Sequence, residues 1–297
     1  MFFKRKKKEA EIGKTMEIPE TKEEPVVIAY PGVEIELRAG NCQHIGKRKK
    51  QEDSFGFSEI EDTSYLASHG FCAVLSDGMG GLAAGRTVSE FAVMKSLKFF
   101  EQLSYEQPVC RQIKLFLDRL NEEVCETYSS KGKAGAGATL VMVILYGDQL
   151  FWGASGDSRI CLVRGNRLYQ VNEDHDYRNQ LLGEYIKGNL SLDEAFHDQQ
   201  GSALASYIGC PSACRVDLSI RGLCLQDGDR ILLMSDGLYR ALTEEEILKK
   251  CNAQPQKMCE RLVQAALDKK YPSQDNTTVL ALEYGWKMVR DEEETKI

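Results

Sequence analysis

Phe71-Cys72-Ala73-Val74-Leu75-Ser76-Asp77-Gly78 is a continuous apolar run that stops on an aspartate and a glycine. The pattern returns in Ile231-Leu232-Leu233-Met234-Ser235-Asp236-Gly237. Short apolar runs bounded by turn residues read as buried strands. Other strands surround them. Val33-Glu34-Ile35-Glu36-Leu37 alternates strictly. Ala138 to Leu145, Gln149 to Ala154 and Arg159 to Arg164 are separated by the turn pairs Gly147-Asp148 and Gly165-Asn166. Thr277 to Glu283 reads as the closing strand. Helical periods lie between the strand groups. One covers Val88 to Phe100, and a second sets Ile113, Leu117, Leu120 and Val124 on one stripe. Thr243 and Glu246 form a capping box, and Met258, Leu262 and Ala266 mark a further helix face. Strands in adjacent runs and helices in separate pairs predict an α+β fold with mainly antiparallel sheets.

The 297 residues are 42% hydrophobic and 28% charged, as expected of a globular protein. A net charge of −7 gives no general drive toward nucleic acid or an anionic membrane. The ten cysteines contain no CxxC pair, which argues against a structural zinc site. Reduced thiols and a cytoplasmic location follow. No apolar run is long enough to span a bilayer. Residues 1–25 read as a disordered tail with a basic run, Lys4 to Lys8. Phe2 and Phe3 ahead of that run raise a membrane-surface contact as the alternative to a solvated tail. Residues 26–286 read as a catalytic domain, with 176–206 as a polar insertion over the sheet, and 287–297 as a charged C-terminal tail.

The chemistry lies in the carboxylates. Asp77 and Asp236 each end an apolar strand and precede glycine. Asp157 follows Gly153-Ala154-Ser155-Gly156, Asp275 precedes Asn276 and the last strand, and Asp53 follows Glu52. A single Asp-Gly pair reads most simply as a turn. Five aspartates at strand ends are harder to explain that way, because a buried carboxylate is costly unless paired or bound to a metal. Such clusters suit Mg²⁺ or Mn²⁺. Gly78 would let its carbonyl approach an ion closely. Two ions about 4 Å apart can share a bridging carboxylate and a bridging hydroxide that attacks phosphorus in line. Arg48 is the candidate fork for the phosphate oxygens, although it also sits in an ordinary basic run, Lys47 to Lys50.

Seven pieces occur in order across residues 46–279. They are Gly46-Lys47-Arg48-Lys49-Lys50-Gln51-Glu52-Asp53, Leu75-Ser76-Asp77-Gly78-Met79-Gly80-Gly81, Gly137-Ala138-Thr139, Gly156-Asp157-Ser158-Arg159, Asp174-His175, Leu232-Leu233-Met234-Ser235-Asp236-Gly237-Leu238 and Asp275-Asn276-Thr277-Thr278-Val279. The set resembles the metal-dependent (type 2C) protein phosphatase family in its bacterial form. The resemblance implies a four-layer sandwich, two antiparallel β-sheets flanked by helices on both sides. It implies phosphoserine and phosphothreonine proteins as substrates, and a serine/threonine kinase and its targets as partners. It also implies that Asp77 bridges two core ions, with the Gly78 carbonyl on one of them. Asp53, Asp236 and Asp275 would complete the second ion, with Glu52 in the outer shell. Asp157, with Asp236, would hold a third, weaker ion. Arg48 would bind phosphate and Asn276 would orient its neighbour. Residues 176–206 correspond to the family's variable flap.

There are departures. Met79 stands where many eukaryotic members have histidine, so a metal-bound water is the expected proton donor. Leu82 and Arg86 stand where the family often has His and Glu. Three rival readings exist. A cysteine phosphatase would use a C-x5-R cradle, and Cys42–Arg48, Cys161–Arg167 and Cys224–Arg230 all fit that loose pattern without a glycine-rich nest. A catalytically weak binding or sensing module would have lost core ligands, and none is missing here. A metal-dependent nuclease would need a basic groove, which this acidic chain does not suggest. His175 reads as a satisfied structural histidine.

Overall fold

The computed structural model describes residues 24–79, 84–128, 135–211 and 214–289. In chain order its strands are β1 (Val26–Tyr30), β2 (Val33–His44), β3 (Asp53–Phe57), β4 (Phe71–Met79), β5 (Gly137–Ala138), β6 (Leu140–Tyr146), β7 (Gln149–Ser155), β8 (Arg159–Arg164), β9 (Arg167–Gln170), β10 (Asp217–Leu218), β11 (Leu223–Cys224), β12 (Arg230–Met234) and β13 (Thr277–Met288). Its helices are α1 (Thr63–His69), α2 (Ala84–Phe100), α3 (Val109–Tyr128), α4 (Tyr177–Ile186), α5 (Leu192–His197), α6 (Asp236–Tyr239), α7 (Glu244–Leu248) and α8 (Pro255–Asp268).

One sheet runs β1-β2-β13-β12-β8-β9 and the other β10-β7-β6-β4-β3, with β11 added on β7 and β5 on β4. The pairings are antiparallel. Phe71, Ala73 and Leu75 of β4 meet Leu233 and Leu280 of the facing sheet in a shared core. Cys72 and Val74, on the opposite face of β4, pack with Val88 and Ala92 of α2 and with Ile113 and Leu117 of α3. Leu232 and Met234 of β12 face Met258, Leu262 and Ala266 of α8. The order is therefore helices, sheet, sheet, helices. Both faces of β4 and β12 are buried, which is why those strands read as unbroken apolar runs rather than alternating ones. β2 alternates because Ile35 and Leu37 enter the core while Glu34 and Glu36 do not.

The stripes predicted for α3 and α8 are the buried faces of those helices. Burying Leu262 and Met258 contributes roughly 1.5–3 kcal/mol each. α8 sits directly on β2: a Cβ at Gly40 would lie 2.3 Å from the Gln256 amide nitrogen.

Two expectations are corrected. β13 runs to Met288, so Lys287 and Met288 are strand residues paired with β2 rather than tail. The 176–206 insertion folds as α4 and α5, which pack mainly on each other instead of lying across a sheet. A capping box at Ser191 and Glu194 starts α5. Its base is fastened by Tyr177 donating to the Ala203 carbonyl and Ala205 to the His175 carbonyl, each at 2.8–2.9 Å. Residues 1–23, Gly80 to Leu82 and 290–297, on which further expectations fell, lie outside the described residues.

Candidate active site

The first wall of the site is the β2–β3 loop, held by Asn276. The buried Asn276 Oδ1 accepts from the Glu52 amide at 2.7 Å. Its Nδ2 donates to the carbonyls of Ile45 at 2.9 Å and Lys50 at 3.0 Å. The Lys47 amide adds a bond to the Gln274 carbonyl at 2.8 Å. Gly46 adopts φ +65°, and a side chain there would collide with the Asp275 carbonyl, so only glycine fits. This fastening brings the Arg48 guanidinium into an ion pair with Asp275.

The carboxylates arrive from both sheets. Asp53 and Asp77 face each other across β3 and β4. The Asp77 amide donates to Thr139 Oγ1 at 2.9 Å, and Thr139 returns its amide to the Asp77 carbonyl at 2.8 Å. Asp157 lies in the tight β7–β8 connection after Gly156, whose φ is +104°. Asp236 is the first residue of α6, separated from the end of β12 only by its N-cap Ser235. Arg48, Glu52, Asp77, Gly78, Asp157, Asp236, Asp275 and Asn276 all line one cavity of about 360 Å³. Asp53 does not line it; it is buried beside Asp77.

Burial and crowding raise these acids. Asp53 is raised to about 6 by burial, against hydrogen bonds from Thr278 and Ser235 that favour its anion. Thr278 Oγ1 donates to Asp53 Oδ2 at 2.6 Å. Asp77 is pushed well above the usual range by burial and then by Asp53, Asp236, Asp157 and Asp275. Asp236 is raised to about 6 by burial, with Arg240 opposing. Asp157 is raised by burial, again against Arg240.

Buried Oδ1 of Asp53, Oδ1 of Asp236 and Oε1 of Glu52 have no hydrogen-bond partner. An anionic oxygen in that state is costly, and a cation is the natural remedy. The donors are hard oxygens, which suit Mg²⁺ or Mn²⁺. Among the described residues no three such side chains close around a single point. Arginines hold three of the acids instead: Arg48 takes Asp275, and Arg240 takes Asp157 at 2.8 Å and Asp236 at 3.3 Å. The donor set fits a divalent ion, provided these ion pairs yield.

Arg240, Ser202 and Leu204 also line the cavity and carried no assigned role in the sequence, and Thr139, read there only as part of Gly137-Ala138-Thr139, lines it too. Arg240 had a readable signal, since it stands four residues after Asp236, the spacing of a helical ion pair. Ser202 and Leu204 had none, because nothing local marks where an insertion returns to a site. Met79 also lines the cavity, an apolar thioether without a titratable proton. His175 lies outside the lining, buried, accepting from the Gly156 amide at 3.3 Å. Asp174 is held by Arg159 and Gln170. The C-x5-R cysteines are elsewhere: none lines the cavity, and burial pushes the Cys161 thiol up to about 12.

The Protein phosphatase 2C family model matches residues 42–274. The serine/threonine phosphatase stp of Listeria monocytogenes is 30% identical over 243 residues, 80% of this chain and 91% of that protein. Among solved structures, the serine/threonine phosphatase Stp1 from Staphylococcus aureus superposes with a TM-score of 0.64 at 26% identity, covering 86% of this chain and 96% of that one. The catalytic domain of the serine threonine protein phosphatase PstP, in complex with 2 manganese ions, gives a TM-score of 0.61 at 24% identity, covering 84% and 99%. The chain belongs to the protein phosphatase 2C family.

Proposed function

We propose that this chain hydrolyses phosphoserine and phosphothreonine in proteins, as a metal-dependent serine/threonine phosphatase. The observation that carries the reading is the single cavity in which Asp77, Asp157, Asp236 and Asp275 meet Arg48, with unpartnered carboxylate oxygens beside them. Asp53, Asp77, Asp236, Asp275 and the Gly78 carbonyl would hold two Mg²⁺ or Mn²⁺ ions, and Asp157 with Asp236 a third, weaker one. When bound, such ions lower the pKa of water to supply the hydroxide nucleophile and neutralise charge on the phosphoryl oxygens. The chain's own residues supply positioning. Arg48 takes two phosphate oxygens in its planar fork. Asn276 keeps the Arg48 loop in place. Glu52 sits behind the ligands and Met79 keeps one wall free of a competing proton. The two manganese ions in the PstP structure support the choice of metal.

Residues 26–288, through the end of β13, act as the catalytic domain and 176–206 as its flap. The partners are phosphoproteins modified by a serine/threonine kinase, in signalling. No helix among the described residues is long and apolar enough to cross a membrane. No disulfide joins any of the ten cysteines, which supports a reducing, cytoplasmic setting.

Phosphate release from a phosphothreonine peptide, with Mn²⁺ and then with excess chelator, beside Asp236→Ala, tests the reading. Activity that requires metal and is lost in the variant is expected. Activity that survives chelation would end the metal reading. No hydrolysis with any metal would leave a binding module, whose acids are neutralised by Arg48 and Arg240 alone.

A further inference from the structure

We infer that the loop carrying Arg48 also selects substrates, favouring phosphorylated segments with anionic residues within about three positions of the phosphorylated one. This inference rests on the phosphatase reading above. Lys47, Arg48, Lys49 and Lys50 are consecutive and all exposed. Arg48 is paired with Asp275 on the cavity wall, whereas no ion pair joins Lys47, Lys49 or Lys50 to any described residue. A run of lysines is ordinarily a solvated surface with no fixed relation to anything. This one differs because its backbone is fastened at both ends. Asn276 holds the Ile45 and Lys50 carbonyls, and Gln274 holds the Lys47 amide. Four positive charges are thus carried on a held backbone segment whose Arg48 lines the cavity, in a chain whose net charge is −7.

Cα atoms one or two residues from Arg48 lie within about 7 Å of it along the chain. An extended peptide advances about 3.3 Å per residue. With its phosphate on Arg48, a bound segment therefore passes its near neighbours over these lysines. Because the protein as a whole is acidic, long-range attraction does not draw acidic substrates in. The preference acts locally, within about one Debye length of 8 Å, and weakens with salt.

The test uses the full chain with Mn²⁺ and four peptides that share one phosphothreonine. Their flanks carry Asp and Glu, the isosteres Asn and Gln, Lys, or a second phosphothreonine. The acidic and doubly phosphorylated peptides should exceed the Asn/Gln peptide in kcat/KM by about fivefold or more, the sum expected of several modest surface pairs. That ratio should fall toward one in the triple variant Lys47→Gln, Lys49→Gln, Lys50→Gln, and in the wild type at high salt. The salt titration needs no variant, so a folding defect in the triple variant leaves the inference testable. Equal kcat/KM across the peptides would overturn it while leaving the phosphatase reading intact. Loss of binding to phosphatidylserine vesicles in the triple variant, with peptide preference unchanged, would overturn it in favour of a membrane surface. No hydrolysis of any peptide would defeat the phosphatase reading itself, and the inference with it.

Discussion

Arg240 donates to Asp157 at 2.8 Å across the cavity mouth, from the C-terminal end of the short helix that Asp236 begins. The same guanidinium lies 3.3 Å from Asp236. A tethered cation therefore bridges the two acids assigned to the third ion. Removing it should ease entry of a metal there. Arg240→Gln is expected to raise the number of Mn²⁺ ions bound at a given free concentration, read by calorimetry or metal counting. Asp157→Ala should leave the two core ions in place and lower turnover. Loss of both core ions in Asp157→Ala would show that the ligand assignment is wrong.

Asn276 is the second lever. Its three hydrogen bonds fix both ends of the Arg48 loop. Asn276→Ala leaves a buried amide and two carbonyls without partners, and each unsatisfied group costs about 1–3 kcal/mol. A loss of about 2–4 kcal/mol in chemical unfolding is expected after water relieves part of it. KM for a phosphopeptide should rise as Arg48 loses its anchor. Asn276→Asp should do little better, because a carboxylate has no N–H to give to Ile45 and Lys50. Rescue by aspartate would contradict the stapling role.

Gly40 tests the fold away from the chemistry. Its hydrogen stands where a methyl group would meet the backbone of Pro255 and Gln256 at 2.3–2.4 Å. Backbone cannot rotate away as a side chain can, so α8 must shift off β2. Gly40→Ala is expected to destabilise by about 1–3 kcal/mol, the range for overpacking a tight contact. A urea midpoint equal to that of the wild type would show that α8 is not seated on the strand as described.

The central strands and the α3 and α8 faces were legible because burial imposes a period. Leu117 recurs on a helical stripe, and Leu233 lies in a run apolar on both faces. Asp77 and Asp236 were legible because each ends such a run, and Asp53, Asp157 and Asp275 because each stands at the edge of a strand. Other features depend on contacts between distant segments. β1 and α1 carry short mixed patterns that only their packing on β2 and β1 defines. Ser202 and Leu204 reach the cavity by the fold of an insertion, and the pairing of Arg240 with Asp157 joins residues far apart in the chain. The continuation of β13 to Met288 follows from its long partner β2, not from its own polar end.

The raised acids give a pH dependence opposite to the usual one. Asp53 and Asp236 titrate near 6 in the folded chain against an ordinary 3.8. Between those values the folded protein binds more protons than the unfolded chain. Stability attributable to the pair therefore falls as pH rises through this window, and the penalty is complete above the folded value. Metal-free protein should thus gain about 1–2 kcal/mol on going from about pH 7.5 to about pH 5.5. Bound Mn²⁺ requires the anions, so protons compete with it and the trend should reverse when metal is saturating. Melting curves at both pH values, with chelator and with Mn²⁺, measure the two slopes. A metal-free protein that loses stability on acidification over this range would show that Asp53 and Asp236 are already relieved by their hydrogen bonds and by Arg240, and that a divalent ion is not what the cluster lacks.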